Sequence, residues 1–417
     1  MQSKETALPN VSRRLAAWTA ISSLALIAST WRLWTPQTVF PQVPAFERLC
    51  AAPAWLDWLG LGGALIGLLA LAISGHQRAV HLGCATAMVS LLLLFSLDQH
   101  RFQPWAYELW LFCGVWLCCH DSLRLKLMRW LLISIYFYSA SGKFDYEFLH
   151  TVGQQMLAMV LKGIGLDLQA LPLGIRLTLV ATLPLVELAT ACGLAWPRTR
   201  RMAGCLAIGL HLGLIVILGP FGLNHRLGVL LWNAQVAIQV YWLFVAKQTP
   251  EPEPSSAAWP QRFATAMIGA AIVMPSTERV GLWDHWPSWA LYSPHSSRVY
   301  VEFAGPALDR LPESLRQLVL ETPVNPDEIA LWLTVPIDRW SLATLDTPIY
   351  PQARFQLGVA EKIATDSQAD VRVTVLGAAA RFTGIRRRSV LEGVSDVTSA
   401  SRLFWINHRP RNRVKKL

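Results

Sequence analysis

Residues 56–74 read LDWLGLGGALIGLLALAIS, and residues 79–97 read AVHLGCATAMVSLLLLFSL. A run of about 20 apolar residues is long enough to cross the hydrocarbon core of a bilayer as a helix. Each stretch therefore predicts a membrane-spanning helix. Further apolar segments give the same indication, so about nine spans are expected in all. The predicted spans are Leu15–Leu33, Leu56–Ser74, Ala79–Leu97, Pro104–Cys119, Met128–Ser141, Leu171–Trp196, Met202–Leu218, Leu227–Ala246 and Ala257–Met274.

The composition of the whole chain agrees with a membrane protein. Of 417 residues, 53% are hydrophobic and only 15% are charged, whereas a soluble domain usually carries about 25% charged residues. Many of the 19 tryptophans lie near the ends of apolar segments, and the membrane–water interface suits an apolar ring with a polar N–H. The net charge of +10 is assigned to cytoplasmic loops and a basic tail near anionic lipid. The expected partner is thus the lipid bilayer, and binding to nucleic acid is not expected.

The predicted fold class is an all-α polytopic membrane helix bundle with a small C-terminal α+β soluble domain. Residues 1–275 form the membrane part, residues 276–408 form the soluble domain, and residues 409–417 are a basic tail expected to be disordered. The segment Thr151–Leu168 contains Gly, Gln, Lys and Asp and is expected to be re-entrant or interfacial. In the soluble domain, period-two alternation predicts strands. The predicted strands are Arg298–Phe303, Ile329–Val335, Asp370–Leu376 and Arg402–Ile406, and the predicted helices are Leu311–Leu320 and Pro351–Ala364.

Loop charges predict the orientation. With the N-terminus in the cytoplasm, Lys and Arg near the ends of the predicted spans are twice as frequent inside as outside, which agrees with the positive-inside rule. Nine spans would then place the C-terminal domain outside the cytoplasm. The inside set is Lys4, Arg13, Arg14, Arg78, Arg124, Lys126, Arg129, Arg198, Arg200, Arg201, Lys247 and Arg262, and the outside set is Arg48, Arg101, Lys143, Lys162, Arg176 and Arg226.

Charged and hydrogen-bonding groups within apolar segments need partners, because a charge near the bilayer centre costs about 2.5–3.5 kcal/mol or more. Lys143 ends the segment YFYSASGK, and Ser139 lies four residues before it on the same helix face. A lysine held against an apolar pocket can act as a base, whereas a lysine at a helix end can also reach the interface beside Asp145. Glu187 and His211 lie deeper, and both are candidates for proton handling or for a buried ion pair.

A further polar cluster occupies the predicted turn 98–101. Asp98 or His100 either faces a pocket that opens outward, or belongs to a solvated turn in which Asp98 pairs with Arg101. The seven cysteines include no C-x-x-C spacing and lie mostly in apolar segments, so they are expected to be packing residues. No metal site is expected.

Two stretches carry a family resemblance. Residues 136–149 (YFYSASGKFDYEFL) resemble the tyrosine-rich, lysine-ending segment of the vitamin K-dependent gamma-carboxylase membrane domain and its bacterial relatives, the HTTM proteins. The stretch from Glu187 through the Pro-Arg-x-Arg loop at 197–200 to His211 and Phe221-Gly222 is also similar to that family. The resemblance covers roughly residues 13–274. It implies a reduced quinone as cofactor, with Lys143 as the base that activates it and with Glu187 and His211 in support. The C-terminal domain is much shorter than the carboxylase's.

The same Tyr/Ser-rich, lysine-ending segment also resembles the smaller DoxX/MauE-type membrane proteins, which are associated with redox partners or quinone. A third possibility is a non-catalytic membrane scaffold that presents the C-terminal domain to an extracytoplasmic protein partner.

We expect Lys143, Glu187 and His211 to line one cavity in the outer half of the bilayer, with Asp98 or His100 near its opening. Mutual contact would lower the free energy of burying these groups. The aromatic residues Tyr136, Tyr138, Phe137 and Trp105 would suit a flat apolar ligand such as a quinone.

Overall fold

The computed structural model describes residues 10–247, 258–320, 332–368, 370–400 and 404–411. The chain first forms a helical part and then a C-terminal domain with a small sheet. The helices of the helical part are α1 Asn10–Ser29, α2 Trp31–Trp34, α3 Trp55–Ile73, α4 Gln77–Leu97, α5 Pro104–Cys118, α6 Asp121–Lys143, α7 Tyr146–His150, α8 Val152–Gly163, α9 Leu173–Ala195, α10 Arg200–Leu218, α11 Leu227–Val240 and α12 Trp259–Val273.

Among the described residues, five helices are long and apolar enough to cross a membrane, namely α3, α4, α9, α10, and α11 together with the π-turn that continues it to Val245. The other four predicted spans fall on α1, α5, α6 and α12 and are not established by this criterion. Helices α5 and α12 have 15 residues each, about 22 Å at 1.5 Å per residue, against a hydrocarbon core of about 30 Å. The segment Thr151–Leu168 contains α8, whose 12 residues are too few to span.

Close packing of α3 on α4 depends on two glycines. A Cβ atom on Gly67 would lie 2.6 Å from the carbonyl oxygen of Gly83, and one on Gly83 would lie 2.7 Å from that of Gly67. Small residues at a helix–helix contact let the two backbones approach. The helix α5 follows at the centre of the bundle, and 12 of its 15 residues are buried. Its shortness therefore agrees with a position surrounded by protein.

The C-terminal domain contains a four-stranded antiparallel sheet in the order β2-β1-β3-β4. Val301, Phe303 and Val373 point from the sheet into a core shared with Trp340 and Phe355. The strands are β1 Arg298–Ala304, β2 Trp332–Val335, β3 Val371–Leu376 and β4 Arg388–Glu392, and the helices are α13 Glu313–Leu320, α14 Ile337–Leu345, α15 Ala353–Ser367 and α16 Gly393–Ala400.

These elements correct part of the sequence analysis. The strands at 298 and 371 and the helices at 313 and 353 agree with prediction to within three residues. The strand expected at Arg402–Ile406 is not formed in its described part, residues 404–406. This segment instead runs to the helical part, where Asn407 donates a hydrogen bond to the Pro44 carbonyl. The fourth strand is β4, whose mostly exposed side chains gave no alternating apolar signal.

The Asp57 cluster, made of Asp57, Arg101, Arg411 and Gln42, joins the end of the chain to the helical part. One Asp57 oxygen lies 2.6 Å from Nη1 of Arg101, and the other accepts a hydrogen bond of 2.8 Å from Nη1 of Arg411. The side chains of Asp57 and Arg101 are fully buried, and that of Arg411 is 6% exposed. Arg411 also donates to the carbonyls of residues 52 and 53. The carboxylate thus holds two buried guanidinium groups that are far apart in sequence.

Replacing Arg411 by alanine is expected to destabilise the protein, because Asp57 and Arg101 would remain buried with part of their pairing lost. Removing one partner of a buried ion pair typically costs about 3–5 kcal/mol. Thermal unfolding in detergent measures the effect. The matched control is Arg409→Ala, which breaks only an exposed pair with Glu47, normally worth about 0–1 kcal/mol. Equal melting temperatures for the two variants would contradict this role of the Asp57 cluster.

Candidate functional site

One face of α6 carries Tyr136, Ser139 and Lys143, three and four residues apart and therefore aligned along the helix. Lys143 is the last residue of α6, and Asp145 then begins α7 by accepting a hydrogen bond from the backbone N–H of Glu147. The Lys143 side chain is only 6% exposed. The lysine therefore turns into the bundle and does not extend toward the interface.

The partner of Lys143 is Glu187 on α9. The ammonium Nζ lies 2.6 Å and 2.7 Å from the two carboxylate oxygens of Glu187 and 2.8 Å from Oγ of Ser139. Ser139 is also within 3.4 Å of Oε2 of Glu187. Three acceptors therefore surround an ammonium that has three N–H bonds. Pro184, inside α9, lies one turn before Glu187 and lacks the N–H that would bond to the preceding turn.

A second hydrogen-bonded group links Tyr136 of α6, His211 of α10 and Asn233 of α11. Asn233 donates its amide N–H to the Val229 carbonyl, so its Oδ1 faces Nδ1 of His211 at 2.8 Å. An amide oxygen only accepts, so Nδ1 carries the proton. The Nε2 atom of the neutral imidazole is then free to accept the Tyr136 hydroxyl hydrogen over 2.6 Å. With Tyr136 as the donor to Nε2, the network corresponds to the neutral Nδ1–H tautomer of His211.

The two groups lie next to each other because both are built on the same face of α6. Tyr136, which bonds to His211, and Ser139, which bonds to Lys143, are three residues apart on α6. Lys143, Glu187 and His211, which sequence analysis expected in one place, thus lie in one polar region of the helical part. It contains a balanced ion pair beside a neutral imidazole with a phenol, which is an arrangement that can accept or pass on protons.

The residues expected near the opening of the site lie elsewhere. Asp98 accepts hydrogen bonds from the backbone N–H groups of Val43 and His100, and the His100 ring contacts the Pro348 carbonyl of the C-terminal domain at 2.8 Å. Burial raises the pKa of Asp98 to about 6 and lowers the pKa of His100 to about 4. Trp105 packs with its ring centroid 5.3 Å from that of Trp34. Asp98 and His100 belong to the junction with the C-terminal domain, because that domain covers the turn 98–101, and Trp105 lies against Trp34 within the helical part.

Tyr138 lies on a different side of α6 from Tyr136. Its hydroxyl donates to the Ile272 carbonyl of α12, and its ring borders a groove between α6, α9 and α12. The groove is almost wholly apolar, and Ala191, one turn beyond Glu187, lies in its wall. Its lining includes Trp130, Phe137, Tyr138, Ala191, Cys192 and Ile272. The expected aromatic lining is thus divided between this groove and the Tyr136–His211 contact.

Sequence reasoning missed Glu108, which is fully buried on α5 and accepts a 2.8 Å hydrogen bond from the Trp232 indole. The signal that singled out Glu187, a carboxyl inside an apolar segment, was also present here. Sequence reasoning also missed the group formed by Glu278, His285 and His295 in the connection between α12 and β1.

The seven cysteines are all free, and Cys192 and Cys205 are exposed on the helix surface.

No protein-family model, no curated protein and no solved structure matches this chain.

The Lys143–Glu187 contact predicts strong coupling between the two residues. Lys143→Met alone leaves the Glu187 carboxylate, whose side chain is 17% exposed, without its cation and should destabilise the protein by up to about 3–5 kcal/mol. The double variant Lys143→Met/Glu187→Leu removes both charges and should recover much of that loss. Thermal unfolding in detergent of the two single variants and the double variant gives the coupling energy. Lys162→Met, at an exposed lysine on α8, is the control. Additive effects would show that the contact contributes nothing.

Proposed function

We propose that this chain is a multi-pass membrane protein that binds a reduced quinone beside Lys143 and Glu187 and takes a proton from it. The observation that carries the proposal is the meeting of an ion pair and a neutral imidazole among apolar helices. Ionisable groups at such depth are expensive to bury, and they mark proton relays and ligand sites more often than structural contacts. The resemblance of residues 136–149 to the gamma-carboxylase membrane domain suggests the same ligand class.

The groove between α6, α9 and α12 suits the ring of such a ligand. Phe137, Tyr138 and Trp130 offer flat apolar surface, and binding sites for small molecules combine apolar walls with a few polar groups. The polar groups are those of the adjoining Lys143–Glu187 pair, one helical turn from Ala191 along α9. A hydroxyl on one edge of the ring would be directed toward that pair.

The proton acceptor in this proposal is the Lys143–Glu187 pair as a unit. In the charged form the carboxylate is the base, and in the neutral form, after Lys143 has given its proton to Glu187, the amine is the base. Either way the pair gains one proton and one positive charge, which stabilises the quinol anion that forms. The resemblance assigns the base to Lys143, and Glu187 completes it here. His211 and Tyr136 provide the next groups to which a proton can move.

Purified protein is expected to retain quinone on organic extraction, and added naphthoquinol is expected to quench tryptophan fluorescence saturably through Trp130. Lys143→Met and Glu187→Gln should weaken this binding by about tenfold or more, the effect of losing about 1.4 kcal/mol. Lys162→Met should leave binding unchanged.

If wild-type protein shows no retained quinone and no saturable quenching, the quinone proposal is wrong. If Lys143→Met folds and binds as the parent does, Lys143 serves only as a structural partner of Glu187.

We further propose that the C-terminal domain lies outside the cytoplasm. The domain contacts the end of the bundle that carries Arg101 and Lys143, which both belong to the smaller, outside set of loop cations. The contacts include hydrogen bonds from Arg354 to Gln99 and from Arg381 to the Ser141 carbonyl. The described residues of the inside set lie at the other end of the bundle, and positive loop charges favour the cytoplasm.

Reporter fusions at Pro254 and after Leu417 test this orientation. The first should report the cytoplasm and the second the opposite compartment, because the proposed orientation requires α12, with the 3-10 turn Met274–Val280 that continues it, to cross the membrane. A common compartment for both reporters would show that α12 does not cross the membrane.

A scaffold role is the second candidate, and surface residues of the C-terminal domain favour it. Phe382, Ile385 and Trp405 are each at least 70% exposed. Large exposed apolar side chains often mark a contact with a partner protein or with lipid. The Lys143→Met variant distinguishes the two functions, because a scaffold would still bind its partner protein in that variant.

A further inference from the structure

Two histidines and a glutamate meet where the chain passes from α12 to β1. Glu278 lies in the 3-10 turn Met274–Val280, and its Oε1 is 2.9 Å from Nδ1 of His285 and 3.0 Å from Nε2 of His295. The donor atoms of all three side chains lie within 4.8 Å of one another. His285 is 4% and His295 is 1% exposed. The two histidines are therefore buried, and the Glu278 side chain is 12% exposed. The three residues are separated by six and nine residues in the sequence.

The backbone between the two histidines is held in an unusual conformation. Trp289 and Tyr292 both have φ of 57°, in the left-handed region that costs a residue with a side chain roughly 1–2 kcal/mol. Such strain tends to persist where surrounding contacts impose a functional geometry. Trp289 is fully buried and stacks on Tyr107 of α5 at 5.3 Å. The stacking and the strain together fix the direction from which His295 approaches Glu278.

We propose that Glu278, His285 and His295 bind a divalent first-row transition metal of the zinc class. Two imidazoles and one carboxylate are ligands that suit Zn²⁺ and its neighbours, whereas Ca²⁺ and Mg²⁺ prefer oxygen alone and Cu⁺ prefers sulfur. The site is independent of the proposed quinone function.

The separations are close to those of such a ligand set. Ligand atoms at about 2.1 Å from a tetrahedral Zn²⁺ are about 3.4 Å apart. The two nitrogens lie 2.9 Å and 3.0 Å from Oε1 and within 4.8 Å of each other, so side-chain rotation about the cluster would bring the three atoms to that spacing. Three protein ligands would leave the fourth position to water or to an external group.

The hydrogen bonds show what metal binding would change. A carboxylate only accepts, so Nδ1 of His285 and Nε2 of His295 carry protons where they face Glu278. A metal bound between the three side chains would replace these protons, as ligand nitrogens must be unprotonated.

The place of the site in the fold gives the metal a role. Arg279, next to Glu278, forms an ion pair of 2.9 Å with Asp145, two residues beyond Lys143. Ser293, two residues before His295, packs on Gly142, where a Cβ atom would lie 2.6 Å from its Oγ. A bound metal would thus fasten residues 278–295 over the end of α6.

Full-length protein without a polyhistidine tag, stripped by chelator and titrated with Zn²⁺, tests the proposal. The wild type should bind about one Zn²⁺ per chain by elemental analysis, and its melting temperature should rise with Zn²⁺ concentration because the ion binds only the folded state. His295→Gln and Glu278→Gln should weaken binding by more than about 100-fold, since even outer-shell changes cost 10–100-fold. His225→Gln changes a histidine beside Tyr292 and should bind normally.

Binding of Co²⁺ to the wild type gives a readout that does not depend on the variants folding. We expect the visible absorption of a four- or five-coordinate nitrogen and oxygen site, with no thiolate charge-transfer band. A thiolate band, the absence of stoichiometric Zn²⁺ binding by the wild type, or normal affinity in a folded Glu278→Gln variant would each overturn the proposal and leave Glu278 as a hydrogen-bonded anchor for two histidines.

Discussion

The contact between Lys143 of α6 and Glu187 of α9 is the constraint on which the organisation of the site depends. A lone charge among apolar helices would favour leaving the bundle or losing its charge. Paired, the two groups hold each other and Ser139 in a fixed arrangement. The fixed face of α6 then brings Tyr136 to His211 on α10, and Asn233 of α11 sets the tautomer of that histidine. Four helices are thereby tied together by polar contacts inside an apolar bundle.

The C-terminal domain is attached by the same kind of contact. Asp57 holds Arg101 and Arg411 in the Asp57 cluster, Asp145 holds Arg279, and Glu147 holds Arg298 and Arg386. In each case a carboxylate of the helical part meets an arginine, and most of these arginines come from the chain after α12. Side chains from both parts cover the end of α6 where Lys143 lies. The domain therefore limits access to the polar region from that end.

The sequence predicts the apolar helices and the Lys143–Glu187 region, but not the contacts with the C-terminal domain. Apolar length is a local property, so the segments at 56–74 and 79–97 emerge as α3 and α4. Sequence analysis could place Lys143 near Glu187, because each charged group in an apolar segment needs a polar partner and few candidate partners were available. The Asp57 cluster could not be found, since Arg411 is separated from Asp57 by 354 residues and nothing local marks it as buried. His100 was misplaced because a short polar turn reads as solvated until the C-terminal domain that covers it is known.

The central claim is that the Lys143–Glu187 pair accepts a proton from a bound quinol. Infrared difference spectroscopy of the protein with and without quinol tests it directly, because a protonated carboxyl has a C=O stretch that the carboxylate lacks. The account predicts a new carboxylic acid band on quinol binding that is absent in the Glu187→Gln variant. Either no such band in the wild type, or a band that persists unchanged in Glu187→Gln, would contradict it.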